Sequence, residues 1–135
     1  MKHSIPYYYF LFPIISFFYC IYYSLYFYDG YHFGLIFSNA TELNSGKLPY
    51  KEIFIEYGYL TTFIHSLVLK IFGNEVLYLQ IYTGLIYSIT ITLIGIIVKN
   101  LTNKFYGLFA IISLFLIYPI PLKPWPIYNC YFFYT

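Results

Sequence analysis

Charge is what this chain has least of. Charged residues make up 9% of its 135 positions, whereas an ordinary soluble domain carries roughly a quarter. A surface facing water on every side cannot be built from that supply. Arginine is absent altogether, and the seven basic residues are lysines standing singly. Without arginine there are no bidentate contacts to phosphates or base edges, and a net charge of +2 is too small to draw in a polyanion. No nucleic-acid partner is expected. Cysteine is nearly missing as well. Cys20 and Cys130 lie far apart in apolar runs and read as small apolar residues rather than a disulfide. There is no CxxC, no HxxxH and no glycine-rich phosphate loop, His32 and His65 lack metal-pair spacing, and no serine or cysteine triad stands out. No metal ligand is therefore assigned. A small-x-small cleavage site is also missing after the apolar run that follows Met1-Lys2-His3, so this end reads as a retained signal anchor.

Apolar residues are abundant instead, at 61% hydrophobic and 27% aromatic. Heavy use of Ile, Tyr, Phe, Lys and Asn is what AT-rich coding produces, so a cluster such as YYYF is not read as a cofactor box. Residues 4–28 carry no formal charge, and a helix needs about twenty such residues to cross a bilayer core of about 30 Å. The expected fold is all-α: a polytopic integral membrane protein of about four transmembrane helices, at 5–28, 76–98, 105–122 and 125–135. Pro6 and Pro13 are tolerable near a membrane helix end. The last run offers eleven residues where about twenty are needed, so it is either re-entrant or cut short, and of the two the chain is expected to be the N-terminal part of a longer protein.

Residues 29–75 differ from the rest. Phe33, Ile36, Phe37, Ala40 and Leu43 share one stripe at 100° per residue, with Ser38, Glu42 and Ser45 opposite, which predicts a helix over 31–45. Asn44-Ser45-Gly46 ends it. A second helix is predicted over 57–73, with Leu60, Phe63, Ile64, Leu67 and Ile71 on one stripe and Thr62, His65 and Ser66 across from it. Both are too short to span and are expected to lie at the membrane surface, joined by the turn-rich GKLPYKE. Lys2 and His3 favour a cytoplasmic N-terminus, which puts 29–75 outside and Lys99 and Lys104 inside. Lys47, Lys51, Lys70 and Lys123 then lie on the side the rule disfavours. The expected location is a bacterial inner membrane.

Taken singly, the polar residues of this loop have plain readings. Asp29 directly precedes a helix and suits an N-cap, a role worth ~0.5–2 kcal/mol against alanine. Glu42 and Glu56 suit solvated faces, and Lys47 and Lys51 suit lipid headgroups. The sequons at Asn39 and Asn100 matter only in a secretory pathway.

Taken in order, YDGYHFGLIFSNATELNSGKLPYKEIFIEYGYLTTFIHSLVLKIFG resembles the first outer loop of the GT-C glycosyltransferases, in particular their bacterial Rgt-like and protein-mannosyltransferase-like branch. The matching positions are Asp29, Gly46, Pro49, Tyr50, Lys51, Glu52, Tyr57, Gly58, Leu60, Phe72 and Gly73. The likeness covers roughly residues 5–120 and is densest over 29–73. Tyr59 replaces a usual proline, Gln80 stands where arginine is common, and no acid follows Glu75 where relatives carry one.

The resemblance implies a membrane enzyme that moves a sugar from a polyprenyl-phosphate donor to an acceptor hydroxyl with inversion. The lipid bilayer holds the donor tail, and the acceptor is an unspecified glycan, lipid or protein. Such a displacement needs a carboxylate to draw off the acceptor's proton. The resemblance assigns this to Asp29, with Glu42 or Glu56 as the lesser candidates to assist it. Lys51 and Lys47 would offset charge developing on the phosphate, and Tyr57 belongs to the same set. Two carboxylates beside a phosphate could also hold a divalent metal, though nothing in the spacing fixes one. The competing expectation is a non-catalytic polytopic membrane protein or remnant whose surface helices bind lipid or a partner.

Overall fold

The computed structural model describes residues 7–26 and 30–117. Within them are five helices: α1 (Tyr8–Tyr26), α2 (Gly30–Asn44), α3 (Tyr59–Phe72), α4 (Val76–Leu101) and α5 (Lys104–Ile117). No strand occurs among the described residues beyond a single bridge between Pro49 and Ile53. The all-helical class expected from composition is observed. The two loop helices fall within two residues of their predicted limits, which is the usual uncertainty of a helix end. The expected run at 125–135, the end of the third run and Asp29 lie outside the described residues.

α4 is the axis of the molecule. Its 26 residues extend about 39 Å at 1.5 Å per residue, against a bilayer core of about 30 Å. Among the described residues it is the one helix long and apolar enough to cross a membrane. α1 and α5 pack along its C-terminal two-thirds. Cys20 of α1 lies against Gly84, Ile111 of α5 lies against Gly95, and the backbones of Gly95 and Gly107 meet. The Tyr9 hydroxyl donates to the Lys104 carbonyl at 3.0 Å, and the Tyr87 hydroxyl to the Leu114 carbonyl at 3.3 Å. These pairings run both flanking helices antiparallel to α4. Asn103 starts α5, its Oδ1 accepting the amides of Phe105 and Tyr106 at 2.9 and 3.2 Å, as a helix N-cap does.

Polarity in this bundle is turned outward-in. Tyr9, Cys20, Tyr87, Ile91 and Ile111 form its core, but Ser16, Thr83, Ser88, Thr90 and Thr92 are buried beside them. Each hydroxyl donates to a carbonyl one turn back in its own helix, so burial leaves no hydroxyl donor unmet. Large apolar side chains face out: Phe10, Ile14, Ile15 and Phe18 on α1, and Phe105, Phe109 and Leu116 on α5.

α2 and α3 form a second layer on the N-terminal end of α4. Phe33, Ile36 and Ala40 of α2 close on Val68 and Leu69 of α3 and Leu79 of α4. His32, early in α2, has its ring 6.1 Å from that of Tyr57, just before α3. Asn44, at the other end of α2, donates to the Ser66 carbonyl in the second half of α3 at 2.9 Å. The two helices therefore run in the same direction, and residues 45–58 must return the chain along their length.

Candidate functional site

The returning segment is ordered by its own sequence. At the end of α2, Ser45, Gly46 and Lys47 donate their amides to Thr41, Leu43 and Glu42 carbonyls. Gly46 takes φ 90°, the left-handed turn that satisfies a helix C-terminus and suits a residue without Cβ. Leu48 and Glu52 then bond reciprocally. The Leu48 amide donates to Glu52 Oε2 at 2.7 Å, and the Glu52 amide to the Leu48 carbonyl at 2.9 Å. Tyr50, at φ 60°, turns the chain and donates its amide to the Ile53 carbonyl. Over residues 53–56 burial alternates, with Ile53 and Ile55 buried and Phe54 and Glu56 exposed. Buried Asn39 fixes this stretch to α2 by donating Nδ2 to the Phe54 carbonyl at 2.9 Å. Gly58 before α3 has no side chain to cap it, and the Tyr50 hydroxyl instead accepts the Tyr59 amide at 3.0 Å.

The site residues expected from the sequence do not gather at one point. Glu42 and Lys47 pair with each other, Nζ to Oε1 at 3.3 Å, at the C-terminal end of α2. Tyr57 lies at the opposite end, half-buried against His32 and the core of the layer. From Gly30, where α2 begins, to Glu42 is about 18 Å along the helix axis, so Glu42 is not within reach of a proton transfer at the α2 N-terminus. Lys51 and Glu56 are exposed on the returning segment. Asp29 itself lies outside the described residues. Among the described residues no three His, Cys, Asp or Glu side chains converge as a metal site requires.

α3 buries a mixed face, in which Val68 and Leu69 lie beside its polar residues. Its polar residues Thr61, Thr62, His65 and Ser66 are buried at 5%, 4%, 1% and 3% exposure. Of its predicted apolar stripe, Leu60, Phe63, Leu67 and Ile71 are exposed at 57%, 40%, 40% and 73%, and Ile64 is half-buried. α2 is the reverse. Phe33, Ile36 and Ala40 of its predicted stripe are covered by α3 and α4. At the C-terminal ends of α2 and α3 a cleft of about 370 Å³ opens between Thr41, Asn44, Ser45, Leu69, Lys70 and Asn74.

Sequence reasoning missed three residues that build this layer. Asn44 had a signal, since it falls inside the apolar arc of α2, where an amide needs a partner. Asn39 and Tyr50 had none: each is bonded to chain 15 or 9 residues away. His65 was placed on the polar face of α3, and that face is the buried one. Its Nδ1 has no hydrogen-bond partner, its ring meets Tyr82 edge-on at 5.6 Å, and burial pushes its pKa down to about 4. Asn39, a sequon residue, is buried with its amide engaged. No known protein family matches the chain, and neither a curated protein nor a solved structure matches it.

Proposed function

We propose that the chain is the N-terminal part of a polytopic membrane glycosyltransferase of the GT-C type, with α1, α4 and α5 as its crossings. It passes a sugar from a polyprenyl-phosphate donor to an acceptor hydroxyl, and Asp29 draws off the acceptor's proton. The observation that supports this reading is the α2–α3 layer. An apolar helix leads into two helices joined by an ordered return, and both are seated on the first turns of a long apolar helix. That is the order of elements the resemblance in residues 29–73 calls for. Its glycines have physical work there: Gly46, Gly58 and Gly73 all take positive φ. The outward apolar surface of α1 and α5 supports the membrane setting, because large exposed apolar patches belong against lipid or another protein.

Membranes carrying the protein in its longest reading frame, supplied with a radiolabelled polyprenyl-phosphate sugar, should incorporate label into an acceptor. Asp29→Asn should lower that incorporation at least ~100-fold, the usual minimum for a lost general base, with membrane insertion unchanged. Undiminished incorporation would remove Asp29 from the role. Absence of any labelled product from the unaltered protein would remove the reading.

One observation favours the second reading, a non-catalytic membrane protein. Lys47 is neutralised by Glu42 rather than left to meet a phosphate. Photo-crosslinking with a polyprenyl phosphate separates the two, since only a donor site captures the probe within residues 29–57.

A further inference from the structure

We propose that the cleft at the C-terminal ends of α2 and α3 binds a phosphoethanolamine group, an ammonium and a phosphate joined by two carbons, carried on a phospholipid or free in solution. The proposal rests neither on glycosyl transfer nor on Asp29, and only its lipid source rests on the membrane reading above.

The cleft has two unlike walls. α2 and its end supply Thr41, Asn44 and Ser45, while Leu69 and Lys70 of α3 and Asn74 beyond it supply the other wall. On the α2 wall the polar protons are largely spent. The Thr41 hydroxyl donates to the Ser38 carbonyl at 2.8 Å, the Ser45 hydroxyl to the Glu42 carbonyl at 2.7 Å, and Asn44 Nδ2 to the Ser66 carbonyl at 2.9 Å. Thr41 Oγ1, Ser45 Oγ and Asn44 Oδ1 are left to accept. They stand at the negative end of the α2 dipole, whose last turn contains no basic residue. Lys47, just beyond, is paired with Glu42. An ammonium brings three N–H donors to such a wall.

The opposite wall is cationic. Lys70 is exposed, is the one formal charge in the lining, and pairs with no carboxylate among the described residues. Asn74 adds an amide donor, and the two together suit a phosphate. The Asn44–Ser66 bond sets the α2 wall one turn from Lys70, about 6 Å along α3. Charge then decides between ligands. A simple anion would meet Lys70 but also the acceptors at a negative helix end. A simple cation would meet those acceptors but also Lys70. A short zwitterion satisfies both walls. The cleft volume of about 370 Å³ lies at the small end of ligand pockets, ~300–1,000 Å³, which suits a headgroup whose acyl chains stay outside.

The test is calorimetric titration of the full chain in a maltoside detergent, whose head carries neither amine nor phosphate. The probes are phosphoethanolamine, dihexanoylphosphatidylethanolamine, phosphocholine, β-alanine and inorganic phosphate. At least one phosphoethanolamine form should bind, with phosphocholine, which has no N–H, at least ~10-fold weaker, as loss of a charge-assisted hydrogen bond requires. Lys70→Gln and Thr41→Val should each weaken binding by a similar factor with the thermal midpoint unchanged. If Thr41→Val lowers the midpoint, Lys70→Gln decides, and it also subtracts any lipid that merely enters the micelle. Preference for the lipid form places the source in the bilayer, and equal binding of both forms makes the free group sufficient. Equal affinity for phosphocholine, β-alanine or inorganic phosphate overturns the proposal. So does undiminished binding in Lys70→Gln, or no binding of either phosphoethanolamine form. Sugar transfer is read separately through Asp29→Asn, so failure here leaves that reading standing.

Discussion

His65 shows how one residue's surroundings become a property of the protein. It is 1% exposed, its Nδ1 is unpartnered, and its pKa is lowered from 6.5 to about 4 by burial alone. A charged imidazole there would be stripped of water, with the edge of the Tyr82 ring beside it. Between pH 6.5 and 4 the unfolded chain binds a proton at this residue and the folded chain does not, so stability falls as pH falls across that window. Well above pH 6.5 the histidine is neutral in both states and contributes no slope. The loss by pH 4 is on the order of 3 kcal/mol at 1.36 kcal/mol per unit. Thermal unfolding in detergent at pH 7.5, 6, 5 and 4.5 should show a declining midpoint, and His65→Gln should flatten that decline; parallel curves for both proteins would show that other groups carry it. The position of His65 on a polar face was legible in the sequence. That the face is buried was not, because periodicity reports that a helix has two faces and not which solvent each one meets.

At the scale of elements the sequence was most legible where local chemistry decides. The helix periods, the Asn44-Ser45-Gly46 stop and the Gly73 terminus all appear where the residue types put them, since each depends on neighbours within a turn. The stretch 53–56 was not legible, because it is held by Asn39 from another element. The spread of Glu42, Lys51, Glu56 and Tyr57 along the layer was also out of reach, since it depends on α2 and α3 running the same way. The seam between α4 and α5 belongs to this class too. A Cβ on Gly107 would lie 2.6 Å from the Gly95 carbonyl oxygen and 2.7 Å from Lys99 Cβ, and would meet the Tyr9 hydroxyl. Backbone cannot rotate aside as a side-chain tip can, so the two helices must part. Gly107→Ala should therefore destabilise the protein by about 1–3 kcal/mol, the usual cost of overpacking, despite alanine's better helix propensity. Gly34→Ala, where a Cβ meets nothing within 4 Å, should be neutral or stabilising in the same unfolding assay. Equal midpoints for the two variants would show that the α4–α5 seam yields without cost.

For the molecule as a whole, the arrangement of polarity sets the topology to be tested. Buried hydroxyls bonded to their own helices, with phenylalanine, leucine and isoleucine outside, is an arrangement that water penalises by about 25 cal/mol for each Å² of apolar surface and a bilayer does not. If α4 crosses, the α2–α3 return and the α4–α5 turn lie on opposite sides. Ser45 and Thr102 mark these two places, and both are exposed. In a Cys130→Ser chain the remaining Cys20 is buried at 3% exposure, so a maleimide that cannot cross membranes has little to react with except an introduced thiol. With the N-terminus in the cytoplasm, Ser45→Cys should label on intact cells stripped of their wall, and Thr102→Cys only after permeabilisation. Labelling of both from the outside would mean that α4 does not cross. The reverse pattern would keep the crossing and turn the protein over, placing Lys47, Lys51 and Lys70 inside. The positive-inside rule would then be met by the loop, and the sugar donor would have to be presented from the cytoplasmic leaflet.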